Sequence, residues 1–214
     1  MNTDLPLQYV LTTPSHRPDR DEMPLVIVMH GRGADANDLA DIARVIDGPS
    51  GYRFLFPNAP KAWEAAPGMT FGFTWFDGIP PEAKSLAASR DLVESFVDAA
   101  LVRFPTPAGK LVIAGFSQGA LMALDVGLRR DDVAGIVAMS GALSEAEVDA
   151  YKPHRVLIVH GTADEMINVN LARRAQRALK ERGADVEYHE FVMGHQVTQE
   201  SIEIVSEFIR RCME

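Results

Sequence analysis

The chain has 214 residues, 47% of them hydrophobic and 24% charged, proportions of a soluble globular domain rather than a disordered or fibrous one. Its 30 acidic residues against 21 Lys and Arg leave a formal charge of −9. With no basic tract in view, neither nucleic acid nor an anionic membrane surface is expected as a partner.

The single cysteine, Cys212, allows no intramolecular disulfide. The start, "MNTDLPLQYV", lacks the basic-then-apolar pattern of a signal peptide, and no apolar run reaches membrane-spanning length. A cytoplasmic protein without stable membrane association is the expectation, with residues 1–214 forming one domain.

In chain order, "LQYVLT" reads as an opening strand and "PLVIVMHG" as a fully buried one. "NDLADIARVI" has helical spacing at Leu39, Ile42, Ala43 and Ile46. "YRFLFPNAP" is a strand stopped at Pro57, and residues 58–84 read as a long irregular excursion. A helix is predicted over about 86–104 with Leu92, Phe96 and Ala99 or Ala100 inward. "GKLVIAGF" is a buried strand and "SQGALMALDVGLRR" its helix, closed by two arginines suited to the negative end of the dipole. The alternation continues with strand "VAGIVAMSG", a short helix near 144–150, strand "RVLIVHG", helix "NLARRAQRALKERG", strand "DVEYHEF" and a final helix over about 197–212. On that last helix Val205, Phe208, Ile209 and Cys212 recur at spacings of three and four, placing the thiol on the buried stripe.

Strands joined by helices predict a doubly wound, mostly parallel α/β sheet with helices on both faces. Ligands bind such sheets outside the carboxyl ends of the strands. Four strand ends carry residues able to do chemistry: "HGRGAD" at 30–35, Ser117, Asp164 in "TADE" and His195 in "VMGHQ". The order Ser, Asp, His, each after its own strand, is that of an α/β-hydrolase triad. A serine hydroxyl needs a base, for which His195 is the candidate, and the base needs a carboxylate to hold its tautomer, for which Asp164 is the candidate. The glycines of G-F-S-Q-G, Gly115 and Gly119, suit a strand-to-helix turn too tight for side chains. An oxyanion needs two donors, expected at the backbone N–H of Gln118 and, from "HGRG", of Arg32. Other histidines read differently. His30 and His160 precede glycines at strand ends and are expected to bond loop backbone; with His195 they lack metal-ligand spacing, so no metal is expected. His16 sits in a polar N-terminal loop.

The pieces "HGRGAD", "FPNAP", "WFD" at 75–77, "GFSQGA", "HGTADEMI" and "GHQ" resemble the phospholipase/carboxylesterase family of α/β-hydrolases, which includes bacterial carboxylesterases and acyl-protein thioesterases. They spread from residue 30 to 196. The resemblance implies a single-domain hydrolase with little or no cap and no cofactor, with Ser117 as nucleophile, Asp164 as acid member, His195 as base, and Arg32 and Gln118 supplying the oxyanion amides. It also leaves a homodimer open, since members often pair. Two departures stand out: Arg32 replaces the leucine common in the thioesterase branch, and "AAPGMTFGFTWFDG" differs from that branch's pattern. Met69, Phe71, Phe73 and Trp75 are the candidates for an acyl pocket, with sheet-edge cover as the alternative. Asp77 is expected to tie down its own loop. The function expected is hydrolysis of small carboxylic esters with short to medium acyl chains through an acyl-enzyme. The alternatives are a thioesterase or lysophospholipase with the same machinery, cleavage of an amide or C–C bond on the same fold, and a hydrolase-fold receptor that binds without turnover.

Overall fold

A computed structural model describes residues 1–14, 22–46, 51–66, 68–144 and 150–214. Two earlier expectations, the loop position of His16 and the short helix near 144–150, fall wholly or mainly outside these residues.

Among the described residues, nine strands and five helices follow one another as β1 (Tyr9–Thr12), β2 (Leu25–Met29), α1 (Ile42–Ile46), β3 (Arg53–Pro57), β4 (Lys61–Ala66), β5 (Met69–Thr74), α2 (Ala83–Arg103), β6 (Leu111–Phe116), α3 (Gln118–Gly127), β7 (Val133–Met139), β8 (Arg155–Gly161), α4 (Val169–Glu181), β9 (Asp185–Phe191) and α5 (Gln199–Met213). Seven strands make one sheet in the order β1-β3-β2-β6-β7-β8-β9, and β4 and β5 form a separate hairpin. Only the β1–β3 pair is antiparallel; every other pair in the large sheet is parallel. This is the expected α/β architecture, and its reason is in the strand sequences. β2 and β3 are buried at every position, as strands covered on both faces must be. One core lies on the face that receives α2, α3 and α4; the other lies on the face that receives α1 and α5. Val205, Phe208, Ile209 and Cys212 are all buried on the second face, as their spacing indicates.

Three local expectations are corrected. Within "NDLADIARVI" only Ile42–Ile46 is α-helical. The preceding stretch closes three-residue turns instead, with Ala40 N–H on Asn37 O and Ile42 N–H on Leu39 O. Residues 58–84 are not irregular throughout, because β4 and β5 pair across them; register shifts at Ala62/Glu64 and Glu64/Ala66 break the two-residue period that would have revealed the strands. On α2 Leu92 faces solvent. The buried stripe runs through Leu86, Ser89, Val93, Phe96, Val97 and Ala100, so two small serines (Ser85 is the other) occupy positions that a hydrophobicity reading skips.

α3 is buried at all ten positions. Its one carboxylate, Asp125, therefore needs partners, and it takes Arg90 at 2.7 Å, Arg129 at 3.4 Å and the Tyr151 hydroxyl at 3.0 Å. Arg129 and Arg130, expected at the helix dipole, lie just past the helix end; Arg129 serves Asp125, and Arg130 pairs with Asp98 and Asp132.

α3 enters the core with no clearance at its first turn. A Cβ on Gly119 would lie 2.1 Å from the Met29 carbonyl oxygen, and one on Gly115 would lie 2.1 Å from the Gly119 oxygen. Gly119→Ala thus sets a helix-propensity gain of about 1 kcal/mol against a backbone collision costing about 1–3 kcal/mol or more. The collision is expected to win, and urea denaturation should show a net loss of stability.

Candidate active site

The triad candidates and the 30–34 loop stand at the carboxyl ends of parallel strands of the large sheet: His30 to Ala34 after β2, Ser117 after the neighbouring β6, and, beyond β7, Asp164 after β8 and His195 after the neighbouring β9. Ser117 turns the chain from strand to helix with φ 57° and ψ −117°, a conformation L residues rarely adopt. Its N–H is held by the Met139 carbonyl at 2.9 Å. A helix ladder cannot use its own first donors. Here the bonds to the Ser117 carbonyl come from the N–H groups of Ala120 and Leu121, so the Gln118 N–H lies outside the ladder beside the serine.

The His195 ring joins the other two side chains. Its Nδ1 lies 2.7 Å from Asp164 Oδ2 and its Nε2 lies 2.9 Å from Ser117 Oγ. A carboxylate only accepts, so Nδ1 carries the hydrogen and Nε2 of the neutral ring faces the hydroxyl as an acceptor. Asp164 is fixed from its other oxygen, Oδ1, which accepts the N–H groups of Met166 at 2.9 Å and Ile167 at 2.8 Å. Burial alone would push this carboxyl up. The Ile167 N–H, the His195 ring and the Met166 N–H outweigh it and hold Asp164 below the ordinary aspartate value. The Asp and His loops are stitched together by main-chain bonds, Thr162 N–H to Phe191 O and Ala163 N–H to Met193 O. The Phe116 ring packs on His195 with 4.8 Å between centroids.

The loop after β2 closes the other side. A Cβ on Gly31 would stand 3.3 Å from Ser117 Cβ, which places this loop directly against the serine. Gly33 N–H bonds Phe73 O and Phe73 N–H bonds Ala34 O, so backbone bonds lace the β4–β5 hairpin to the same loop. Trp63, which sequence reading passed over, lies over Gly33, within 3 Å of where a Cβ would stand. The Arg32 guanidinium reaches across to Gly78 O at 3.3 Å.

The four acyl-pocket candidates differ in their surroundings. Trp75 is a core residue with no exposure; its indole N–H donates to His30 O at 2.8 Å, which answers the need of a buried indole for an acceptor. Phe73 packs against the first core, while Met69 and Phe71 are 54% and 55% exposed on the hairpin. The Gln118 side chain has a role apart from its backbone N–H. It is buried, and its oxygen accepts from Trp75 N–H and the Thr74 hydroxyl while its nitrogen donates to Phe76 O, each at 3.0 Å. This amide pins residues 74–76 to the turn after Ser117. A polar side chain opening a helix that is apolar all round was the signal that it must find partners. Asp77 does hold its own loop, through Lys61 and Ser85.

His30 and His160 bond loop backbone. His30 Nδ1 donates to Gly31 O at 2.6 Å and its Nε2 accepts the Ala59 N–H at 3.1 Å; His160 Nε2 donates to Ile167 O at 2.8 Å. Among the described residues no cluster of three or more His, Cys, Asp or Glu could hold a metal ion, and no helix is long and apolar enough to cross a membrane.

With this geometry in hand, likeness to known proteins can be weighed. A model of the phospholipase/carboxylesterase family matches residues 15–213. The chain belongs to this family. Among its phospholipase/carboxylesterase relatives is an acyl-protein thioesterase 1 of Debaryomyces hansenii, 28% identical over 86% of this chain and 89% of that protein. An acyl-protein thioesterase 1 of Neurospora crassa is 32% identical over 73% and 72% of the two chains. Among solved structures, esterase PE8 superposes with a TM-score of 0.82 at 26% identity, covering 94% of this chain and 99% of that one. The carboxylesterase of Bacillus cereus shares the fold at a TM-score of 0.79 and 20% identity, over 96% and 94% of the chains.

His30 also ties site chemistry to stability. Burial lowers its pKa below the usual 6.5, against the opposing pull of the Gly31 carbonyl and of Asp38 and Asp35. As pH falls through about 6.5 the unfolded chain takes up this proton before the folded one does, so stability declines below that value. The half-buried His154 shifts the same way and adds to the decline. His30→Asn is expected to lower the thermal midpoint at pH 8 and to shrink the further drop between about pH 8 and pH 5.5, read by calorimetry.

Proposed function

We propose that the protein is a serine hydrolase that cleaves carboxylic esters with short to medium acyl chains through an acyl-enzyme. The observation that carries this reading is the unbroken line from Asp164 Oδ2 through His195 to Ser117 Oγ, at 2.7 and 2.9 Å. Ser117 Oγ attacks the ester carbonyl as its proton passes to His195 Nε2. Asp164 keeps the ring in the Nδ1–H tautomer and stabilises the imidazolium that forms. The carbonyl oxygen, now anionic, is met by the backbone N–H groups of Gln118 and Arg32. Collapse expels the alcohol, which takes the proton from His195. Water then attacks the acyl-Ser117 ester, giving its proton to His195, and the acid leaves as Ser117 recovers its hydrogen. Every step uses protein groups alone, so no cofactor is called for.

The acyl range follows from the hairpin. Trp75 and Phe73 turn to the core and Met69 and Phe71 stand open to solvent, so the apolar surface beside the 31–34 loop suits a short chain better than an enclosed long one. A second reading, thioester hydrolysis, is favoured by the names of the two fungal relatives, and the same groups would perform it. The substrate partner in either case is a small acyl compound, and the protein acts in the aqueous phase of the cytoplasm.

Ser117→Ala should abolish p-nitrophenyl butyrate cleavage and labelling by a fluorophosphonate, and Asp164→Asn should lower kcat about 10⁴-fold by allowing the wrong tautomer. Retained turnover in the serine variant would refute the mechanism. Comparing kcat/KM for butyryl and palmitoyl oxygen esters and thioesters separates the two readings; the proposal expects the butyryl ester to lead.

A further inference from the structure

Two buried polar atoms behind the site lack partners among the described residues, and the residues that carry them stand level on neighbouring stretches of chain. Ser140, which carries one of them on Oγ, directly follows β7, and His160, which carries the other on Nδ1, is the next-to-last residue of β8; both residues have no exposure. The parallel register pairs Met139 with Val159, and Ser140 N–H bonds Val159 O at 2.8 Å, which brings Ser140 level with His160 on adjacent strands. Such strands run about 4.8 Å apart.

The chemistry of the two atoms is complementary. His160 Nε2 bonds the Ile167 carbonyl, which only accepts, so the hydrogen of the neutral ring sits on Nε2 and Nδ1 is left as an acceptor. The Ser140 hydroxyl has a proton to give. Buried polar groups of this kind are normally satisfied, by protein or by an internal water.

Ser140 is moreover an expensive choice. It has φ 50°, where glycine would be relaxed, and it buries a hydroxyl that glycine would lack. The turn it makes is packed against the nucleophile candidate, since a Cβ on the next residue, Gly141, would approach the Ser117 carbonyl oxygen at 3.2 Å. Backbone geometry accounts for the positive φ, but not for the hydroxyl.

We propose that Ser140 Oγ and His160 Nδ1 share one internal water, and that Ser140 thereby acts as a positioning residue for Asp164. With Nδ1 held, the His160 ring cannot turn, and its Nε2–H stays on Ile167 O, 3.4 Å from Asp164 Oδ2. Ile167 in turn gives its N–H to Asp164 Oδ1. The acid loop is thus gripped at both its donor and its acceptor. The kinetic consequence rests on the hydrolase reading above; the water site does not.

The test labels histidine with ¹⁵N and reads the His160 ring nitrogens by NMR in the full-length protein. Wild type should show the Nε2–H tautomer with Nδ1 shifted as a hydrogen-bonded acceptor. Ser140→Ala keeps the Cβ and the backbone strain, and Ser140→Gly relieves that strain. Both should move Nδ1 towards its unbonded position, and both should lower kcat on a butyryl ester roughly three- to tenfold, the worth of one net hydrogen bond, with KM unchanged. Ser140→Gly should do so while its thermal midpoint holds or rises, which a merely structural role would not produce. An unbonded Nδ1 in wild type, Nδ1 shifts unmoved by both substitutions, or density for a direct Oγ–Nδ1 bond would overturn the proposal. The NMR result stands whether or not Ser117→Ala abolishes turnover, so failure here and failure of the hydrolase reading are told apart.

Discussion

The structure depends on a single steric constraint, the turn at Ser117. A residue with φ 57° and ψ −117° is unfavourable alone and persists only when its surroundings leave no alternative. Gly115 and Gly119 provide that condition by removing every atom between the end of β6, the start of α3 and the carbonyl of Met29. The helix can then plunge into the sheet with all ten residues buried, and its burial holds the turn in place. Strain at one residue is balanced by the packing of an entire helix.

A helix buried on all sides carries its polar groups inward, and the remaining architecture answers them. Asp125 is met by Arg90, Arg129 and Tyr151; Gln118 by the chain of residues 74–76. The second tie extends further, because Trp75 reaches His30 O and His30 reaches Ala59 N–H at the end of β3. The positions of the oxyanion-donor candidates are therefore held by side-chain amide, indole and imidazole groups that never touch a reacting atom. In a low-dielectric interior such a network is rigid when complete and costly when one member is lost.

Much of this was legible in the sequence, because parallel strands buried on two faces produce continuous apolar runs that end where function begins. Ser117, Asp164 and His195 could be singled out by that rule together with their order along the chain, and the structure brings all three within hydrogen-bond reach. The aromatic segment could not be read in the same way. Trp75 suits a pocket wall or a core equally well in sequence, and the acceptor that decides, His30 O, is supplied from 45 residues away. The hairpin was hidden by its own bulges, and the buried stripe of α2 by serines standing where apolar residues were sought. The role of the Gln118 side chain was hidden because all its partners lie 42 to 44 residues away in the chain.

The hairpin meets the loop beside Ser117 through main-chain hydrogen bonds at Gly33, Phe73 and Ala34 and through the Trp63 ring over Gly33. The close approach leaves no room for a Cβ at Gly72, yet the bonds place no demand on the exposed side chains of Met69 and Phe71. Residues such as Met69 and Phe71 can therefore drift in evolution while the amides they flank stay where they are. Under the proposed function, acyl preference would then be a trait that selection tunes on its own, inherited separately from the machinery of turnover.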